Sequence, residues 1–240
     1  MLIRFTMGCR KAPFFVMQDN NQGGGMETTK EIVNFYIKQM FETAREKTKK
    51  VCEANGIPFE PTSARDLRPI PVYEDAPCSL LKLANIHHTT TISWPAIESS
   101  YLQAYWKRRA WQGRKAQNEI VILVNNNYCW ARFYAAKELM HCFMEDENYP
   151  RSGTIELVND LIDDLATTGF MRCETPQTIV DEAAWVGAIE YLLPSSWTAT
   201  LRALRADLQT AFPQFDPDLL IAQIVRVPAS VVRSMLKHRA

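Results

Sequence analysis

Residues 119–143 read EIVILVNNNYCWARFYAAKELMHCF, and this stretch decides the fold. The run from Glu119 to Val124 is rich in β-branched residues and predicts a buried strand. Three asparagines then mark a turn, and the apolar spacing beyond it predicts a helix from about Tyr128 to Met144. Because other short strands precede this helix and further helices follow it, the chain is expected to be α+β.

The helix carries the string KELMH at residues 137–141, which is expected to lie in the middle of the helix. Helical residues four apart lie one turn above each other, so Lys137 and His141 should project from one face with Glu138 beside them. This is the geometry of HExxH, in which two histidines hold zinc and the glutamate handles the proton of the attacking water. A lysine occupies the first position here. Alone, such a pattern is more typical of a solvated helix edge than of a metal site, so its context matters.

The context resembles the ImmA/IrrE family of metallopeptidases, in which a strand ending in Val-Asn precedes Arg-Phe-Thr-Leu-Ala-His-Glu-Leu-Gly-His. Two more blocks follow in the same order. DEAAWVGAIEYLLP, residues 181–194, is similar to the family's third-ligand helix, and LIAQIVRVPASVVRSML, residues 220–236, is similar to its tail. The resemblance spans about residues 119–236. It implies a zincin-like core with a small, mainly antiparallel sheet packed on helices.

The resemblance also implies a bacterial or phage origin, a cytoplasmic location and a protein partner such as a transcriptional repressor or another regulator. Several residues depart from the family pattern. Lys137 replaces a metal ligand, Met140 replaces the usual glycine, and Trp185 stands where the family has asparagine. The third-ligand carboxylate is displaced, which leaves Asp181 and Glu182 as candidates.

These departures favour a metal-free pseudo-enzyme. Zinc in a peptidase needs three protein ligands and one open position, whereas a protonated lysine cannot bind the ion. Lys137 is expected to replace the metal by pairing with Glu138 or Glu182, so no cofactor is expected. Neighbouring helical residues differ by ~100° in direction, so only one of Asp181 and Glu182 can face the site. The alternative is an active zinc peptidase with an atypical site, in which Glu138 is catalytic.

The domain organisation is read from helix signals and breakers. Residues 1–25 are expected to be a disordered leader, with Met26 as an alternative start, and residues 26–194 the zincin-like core. Residues 195–240 should form a C-terminal helical subdomain. The remaining predicted elements are a helix over 28–55, an edge strand over 67–73, a strand over 85–94, a strand or helix over 101–111, and helices over 154–168, from 176 to before Pro194, and from 196 to 238 with breaks at Pro213 and near Pro228.

The C-terminal helices also suggest DNA binding. Ala222 and Val232 are spaced like paired inward-facing residues of a helix-turn-helix, although Arg226 stands where glycine is usual. Arg226, Arg233 and Lys237 are the candidate nucleic-acid contacts. Residues 201–240 contain six Lys or Arg against three Asp, a small excess that favours a packing role for these helices. The aromatic residues of the run at 101–111 are expected to face the core, with the cations directed outward. If these aromatics were exposed, the run would suit single-stranded nucleic acid or a peptide partner.

Composition adds few constraints. Lys plus Arg and Asp plus Glu both total 27, so no global field recruits nucleic acid or an anionic membrane. The six cysteines form no CxxC pair, as expected of free thiols in a reducing compartment. No apolar run is long enough for a membrane span.

Overall fold

The computed structural model describes residues 24–95, 103–109, 117–123, 127–144 and 176–239. Helices dominate this part of the chain, and a small sheet completes a mixed α+β arrangement. The helices are α1 (Gly24–Asn55), α2 (Leu80–His87), α3 (Tyr128–His141), α4 (Pro176–Leu192), α5 (Thr198–Ala211), α6 (Pro217–Val225) and α7 (Ala229–His238), and the strands are β1 (Thr89–Ser93), β2 (Ala104–Arg109) and β3 (Gln117–Ile122).

The sheet has the strand order β1–β3–β2. The most apolar strand, β3, lies at its centre, as its composition requires, and Ile120 and Ile122 are fully buried. β2 pairs with β3 antiparallel, but β1 pairs with it parallel. The expectation of a mainly antiparallel sheet was therefore wrong. α2 leads directly into β1, and this connection sets the direction in which β1 enters the sheet. The composition of a strand does not predict which other strand it pairs with.

The helical core forms where α1, α3 and α4 pack together. Gly187 of α4 permits the close approach, because a Cβ at this position would lie 2.8 Å from Cγ of Met40 on α1 and 3.2 Å from Cγ of Met140 on α3. Thr48 of α1 donates to the backbone oxygen of Ala44 at 2.8 Å, so its buried hydroxyl is satisfied. α4 thus holds α3, the helix with the KELMH string, against α1.

Two predicted strands have a different structure. The segment over 67–73 is neither helix nor strand and bends at Val72 and Tyr73. Its carbonyls instead accept hydrogen bonds from α2, with Pro71 accepting from Leu80 at 3.2 Å and Val72 from Leu81 at 2.9 Å. The strand predicted over 85–94 begins only at Thr89, because α2, capped by Ser79, continues through His87.

Other predictions agree with the structure or fall outside the described residues. The region 101–111, for which the sequence predicts either a strand or a helix, contains strand β2. Helices α4 to α7 are interrupted at Pro194, Pro213 and Pro228, as predicted. The four described cysteines are free thiols. The helix predicted over 154–168 and most of the leader lie outside the described residues.

Membrane-spanning potential can be judged for the described helices only. None of them alone is long and apolar enough to cross a bilayer, although α6 and α7, bent by 109° at their junction, reach that length and composition together.

Candidate functional site

The KELMH string occupies the last turns of α3, not its middle as expected. Asn127 caps the N-terminus by accepting from the backbone N–H of Trp130 at 3.0 Å. At the other end the hydrogen bonds tighten, with Cys142 donating to Leu139 and Phe143 to Met140, each at 3.0 Å. Such shorter loops satisfy the terminal carbonyls and end the helix at His141, three residues before the predicted end.

Lys137 lies at the centre of a charged cluster. Its ammonium donates to Oε1 of Glu138 at 3.3 Å and also pairs with Oδ1 of Asp181 on α4. The side chains of Lys137 and Glu138 are only 12% and 5% exposed. Asp181 is 41% exposed and forms the solvent side of the cluster. One cation therefore balances the buried carboxylate of Glu138 and the partly exposed carboxylate of Asp181.

The electrostatics favour the charged forms of both Lys137 and Asp181. Burial alone would lower the pKa of Lys137, but attraction by Glu138 and Asp181 outweighs it and raises that pKa above its ordinary value. Burial likewise would raise the pKa of Asp181, but the charge of Lys137 and a hydrogen bond from His141 hold it below its ordinary value. Lys137 is consequently an ammonium at neutral pH, with no lone pair for a metal.

His141 completes the cluster on the same face of α3 as Lys137. Its Nε2 lies 3.5 Å from Oδ1 of Asp181 and 3.8 Å from Oε2 of Glu138. The imidazole stacks on Trp106 of β2, with ring centroids 5.4 Å apart and planes 15° from parallel. Within the described residues, the buried Nδ1 has no hydrogen-bond partner. The nitrogen that faces the carboxylates is therefore Nε2.

The structure separates the two candidates for the third position. Lys137 was expected to pair with Glu138 or Glu182, and it does pair with Glu138, but its second partner is Asp181, which also contacts His141. The ion pair is made by Asp181 instead of Glu182 because adjacent residues of a helix point ~100° apart, and α4 turns Asp181 towards α3. The sequence could not fix this choice, since the displaced motif leaves the register of α4 ambiguous.

The donor set of this cluster does not fit zinc. His141, Glu138 and Asp181 are brought together, but the ammonium of Lys137 lies among the same carboxylates and repels a divalent cation. In the parts of the chain that the structure describes, no group of three or more His, Cys, Asp and Glu is arranged to hold a metal ion. The cluster can instead fix α3 to α4 through charge pairing.

The sequence did not predict the stacking of Trp106 on His141. The alternation of a strand offers the signal, because β2 places Ala104, Trp106 and Arg108 on its more buried face. The alternation is informative only if the segment is a strand, and the sequence of residues 101–111 is compatible with a helix as well. The aromatics of this run were expected to face the core, which is right for the partly buried Trp106 and wrong for Tyr105, 40% exposed.

The candidate nucleic-acid contacts lie elsewhere. Arg226 ends α6 and places its guanidinium 5.6 Å from the ring centroid of Tyr128. Arg233 of α7 pairs with Asp216 at 2.6 Å and with Asp218 at 3.3 Å, and Lys237 is exposed on the same helix. None of the three contacts the Lys137 cluster.

No model of a known protein family matches this chain, and no curated protein matches it.

Proposed function

We propose that this chain is a metal-free, degenerate relative of the ImmA/IrrE-type metallopeptidases that acts as a protein-binding or regulatory module. The observation that carries the proposal is the position of Lys137. Its ammonium pairs with Glu138 and Asp181 and lies one helical turn from His141. A metal bound by this helix face would occupy the same space.

The chemistry of peptide hydrolysis supports this choice over an active enzyme. A zinc peptidase requires three ligands, an open position for water and a carboxylate free to take the proton of that water. Here the first ligand position is an ammonium, and Glu138, the residue that would take the proton, is paired with it. The cluster therefore lacks both the Lewis acid and an available base.

The nature of the partner follows from the resemblance. The ImmA/IrrE-like order of strand, KELMH helix, DEAAW helix and tail suggests a partner among transcriptional repressors or regulators of mobile elements, in a bacterial or phage context and in the cytoplasm. The protein would bind such a partner without cleaving it. The charged cluster serves the scaffold, because it joins α3 to α4 without needing a metal.

Metal analysis of the purified full chain tests the metal-free state. Native protein should contain no stoichiometric zinc, and excess EDTA should leave its thermal midpoint unchanged, because no ion contributes to its folding. One zinc per chain, together with destabilisation by EDTA, would contradict the proposal and favour the alternative of an atypical zinc peptidase.

The regulatory role has a separate test. When the protein is mixed with a candidate repressor, size-exclusion chromatography should show a complex, and gel electrophoresis should show the repressor intact. Cleavage that is abolished by Glu138→Gln would identify an active peptidase. Cleavage that persists in this variant would come from a contaminant, so the two results separate the chain's own activity from background.

A further inference from the structure

Helices α6 and α7 have the geometry of a helix-turn-helix. Residues 226–228 join them, and the chain bends by 109° at this junction. A helix-turn-helix places its helices at about 90–120° with a turn of about three or four residues. Helix α5 packs against both and supplies the third helix of such a unit.

The turn is held in an unusual backbone conformation. Arg226 has a φ of 54°, in the left-handed region where glycine is favoured, and it stands at the position where a helix-turn-helix usually has glycine. Two sets of hydrogen bonds stabilise it. Val227 donates to the carbonyl of Ala222 at 3.1 Å, and buried Arg132 of α3 donates to the carbonyl of Arg226 at 2.9 Å. The core thus fixes the angle between α6 and α7.

Burial along the two helices follows the same pattern. Apart from Asp218, the side chains of these two helices and their turn that are at most 3% exposed are apolar, and they include Ala222 and Val232, the pair singled out by their spacing. This inward set is Ile221, Ala222, Val225, Val227, Val232 and Met235. Packing alone therefore determines which face of α7 remains outside.

That outer face is polar and positively charged. Ser230, Arg233 and Lys237 are exposed and lie three and four residues apart, so they share one side of α7. The helix sequence ASVVRSMLKH contains no acidic residue. Asp216 and Asp218 accept from Nη2 and Nε of Arg233, which uses two of the five N–H donors of a guanidinium and orients the group.

We infer that α7 is a recognition helix that enters the major groove of duplex DNA, with Ser230, Arg233 and Lys237 facing the nucleic acid. This activity goes beyond the proposed function. Duplex DNA fits this face better than a protein does, because protein interfaces depend on large apolar or aromatic anchors and the face carries none. The exposed ammonium of Lys237 and the N–H donors that Arg233 keeps beyond its pairs with Asp216 and Asp218 complement phosphate, and α7 itself carries no acidic residue.

Binding of the full chain to a random-sequence duplex of about 20 base pairs, two helical turns, tests this inference by fluorescence anisotropy over a salt series. We expect saturable binding at low salt that weakens as salt rises. Lys237→Ala should lower the slope of log Kd against log salt by about one, and Lys237→Glu should weaken binding on the order of tenfold. Ser230→Glu should also weaken it, and as an acidic residue in the first turn of α7 it should not harm folding.

Lys49→Glu is the matched control, since Lys49 is an exposed lysine on α1. It should leave the affinity unchanged. No binding of the duplex at low salt would overturn the inference, as would binding that Lys237→Glu and Ser230→Glu leave unaltered or that Lys49→Glu weakens equally. If circular dichroism shows that a variant is unfolded, photocrosslinking of the wild-type chain to bromouracil-substituted duplex decides. Crosslinks within residues 229–238 support the recognition helix, and crosslinks confined to other segments contradict it.

Discussion

At the scale of single residues, the central feature of the site is the largely buried ammonium of Lys137. It joins two carboxylates and lies on the helix face that also presents His141. Sequence reasoning reached Lys137, Glu138 and His141 because their relation is local, fixed by the helical repeat alone. The choice of Asp181 over Glu182 depends on how α4 is rotated against α3, which is a tertiary property. The sequence therefore limits the third position to Asp181 or Glu182 but does not decide between these two residues.

Replacing Lys137 by methionine should destabilise the protein. The change leaves Glu138, 5% exposed, without its counter-charge, and breaking a buried pair from one side costs about 3–5 kcal/mol. We expect about 3 kcal/mol, the lower end, because Asp181 is partly solvated. Urea denaturation measures it as a lower midpoint at unchanged m-value. Lys49→Met, at an exposed position on α1, should change the midpoint little. Equal effects of the two substitutions would make Lys137 an ordinary surface lysine.

The ion pair with Asp181 should give the stability a defined pH dependence. The pKa of Asp181 is lowered in the folded chain, so its contribution is fully present above the ordinary value of 3.8 and is lost as pH falls towards the folded value. The gap in urea midpoint between wild type and Asp181→Asn should therefore be widest near neutrality and shrink below that ordinary value. Asp207→Asn, on α5, serves as the control. A gap independent of pH would show that the charge of Asp181 is not what stabilises the cluster.

At the scale of elements, the sequence predicted the strand over 119–124 and the helix after it because their patterns are strong. It was wrong over 67–73, and of the strand predicted over 85–94 only Thr89–Ser93 is a strand. In both places α2 is the cause. Its backbone N–H groups donate to carbonyls of the first segment, and the helix itself includes the first residues of the second segment, through His87. Parallel pairing of β1 with β3 was missed for a related reason, because no local pattern encodes a partner 28 residues away.

The packing of α4 depends on Gly187. A larger side chain there would overlap Met40 and crowd Met140, whose Cγ atoms lie 2.8 and 3.2 Å from the point that a Cβ would occupy. We expect Gly187→Val to cost about 1–3 kcal/mol through overpacking. Thermal unfolding by circular dichroism measures this, with Ala203→Val at an exposed position of α5 as the control. If Gly187→Val had a thermal midpoint as high as that of Ala203→Val, moving α1 and α4 apart would not lower the stability of the protein.

At the scale of the whole molecule, the C-terminal helices share their packing with the core. Arg132, fully buried on α3, donates to Glu74 at 2.9 Å, to the carbonyl of Arg226 at 2.9 Å and to the carbonyl of Ile70. Arg239, just after α7, pairs with buried Glu190 of α4 at 2.7 Å. Arg132 thus connects α3 with the turn between α6 and α7, and Arg239 connects the end of α7 with α4.

Replacing Arg132 by methionine should therefore weaken both regions. The loss leaves buried carbonyls without donors and Glu74 without its partner, at a cost of about 3–5 kcal/mol. Hydrogen exchange should reveal lower protection in α6 and α7 as well as in α3. Arg109→Met, at an exposed position of β2, should leave protection unaltered. Loss confined to α3 would show that the C-terminal helices are stabilised independently of this arginine.

The most direct test of the account is the zinc-binding isotherm of Lys137→His, measured by calorimetry beside wild type and Lys137→Met. The histidine restores two imidazoles on one helix face, and Asp181, whose Oδ1 already lies 3.5 Å from Nε2 of His141, supplies the third ligand. If Lys137 takes the place of the ion, Lys137→His should bind one zinc on the order of tenfold or more tighter than either comparison protein. Stoichiometric zinc binding by wild type, or a Lys137→His isotherm equal to that of Lys137→Met, would contradict it.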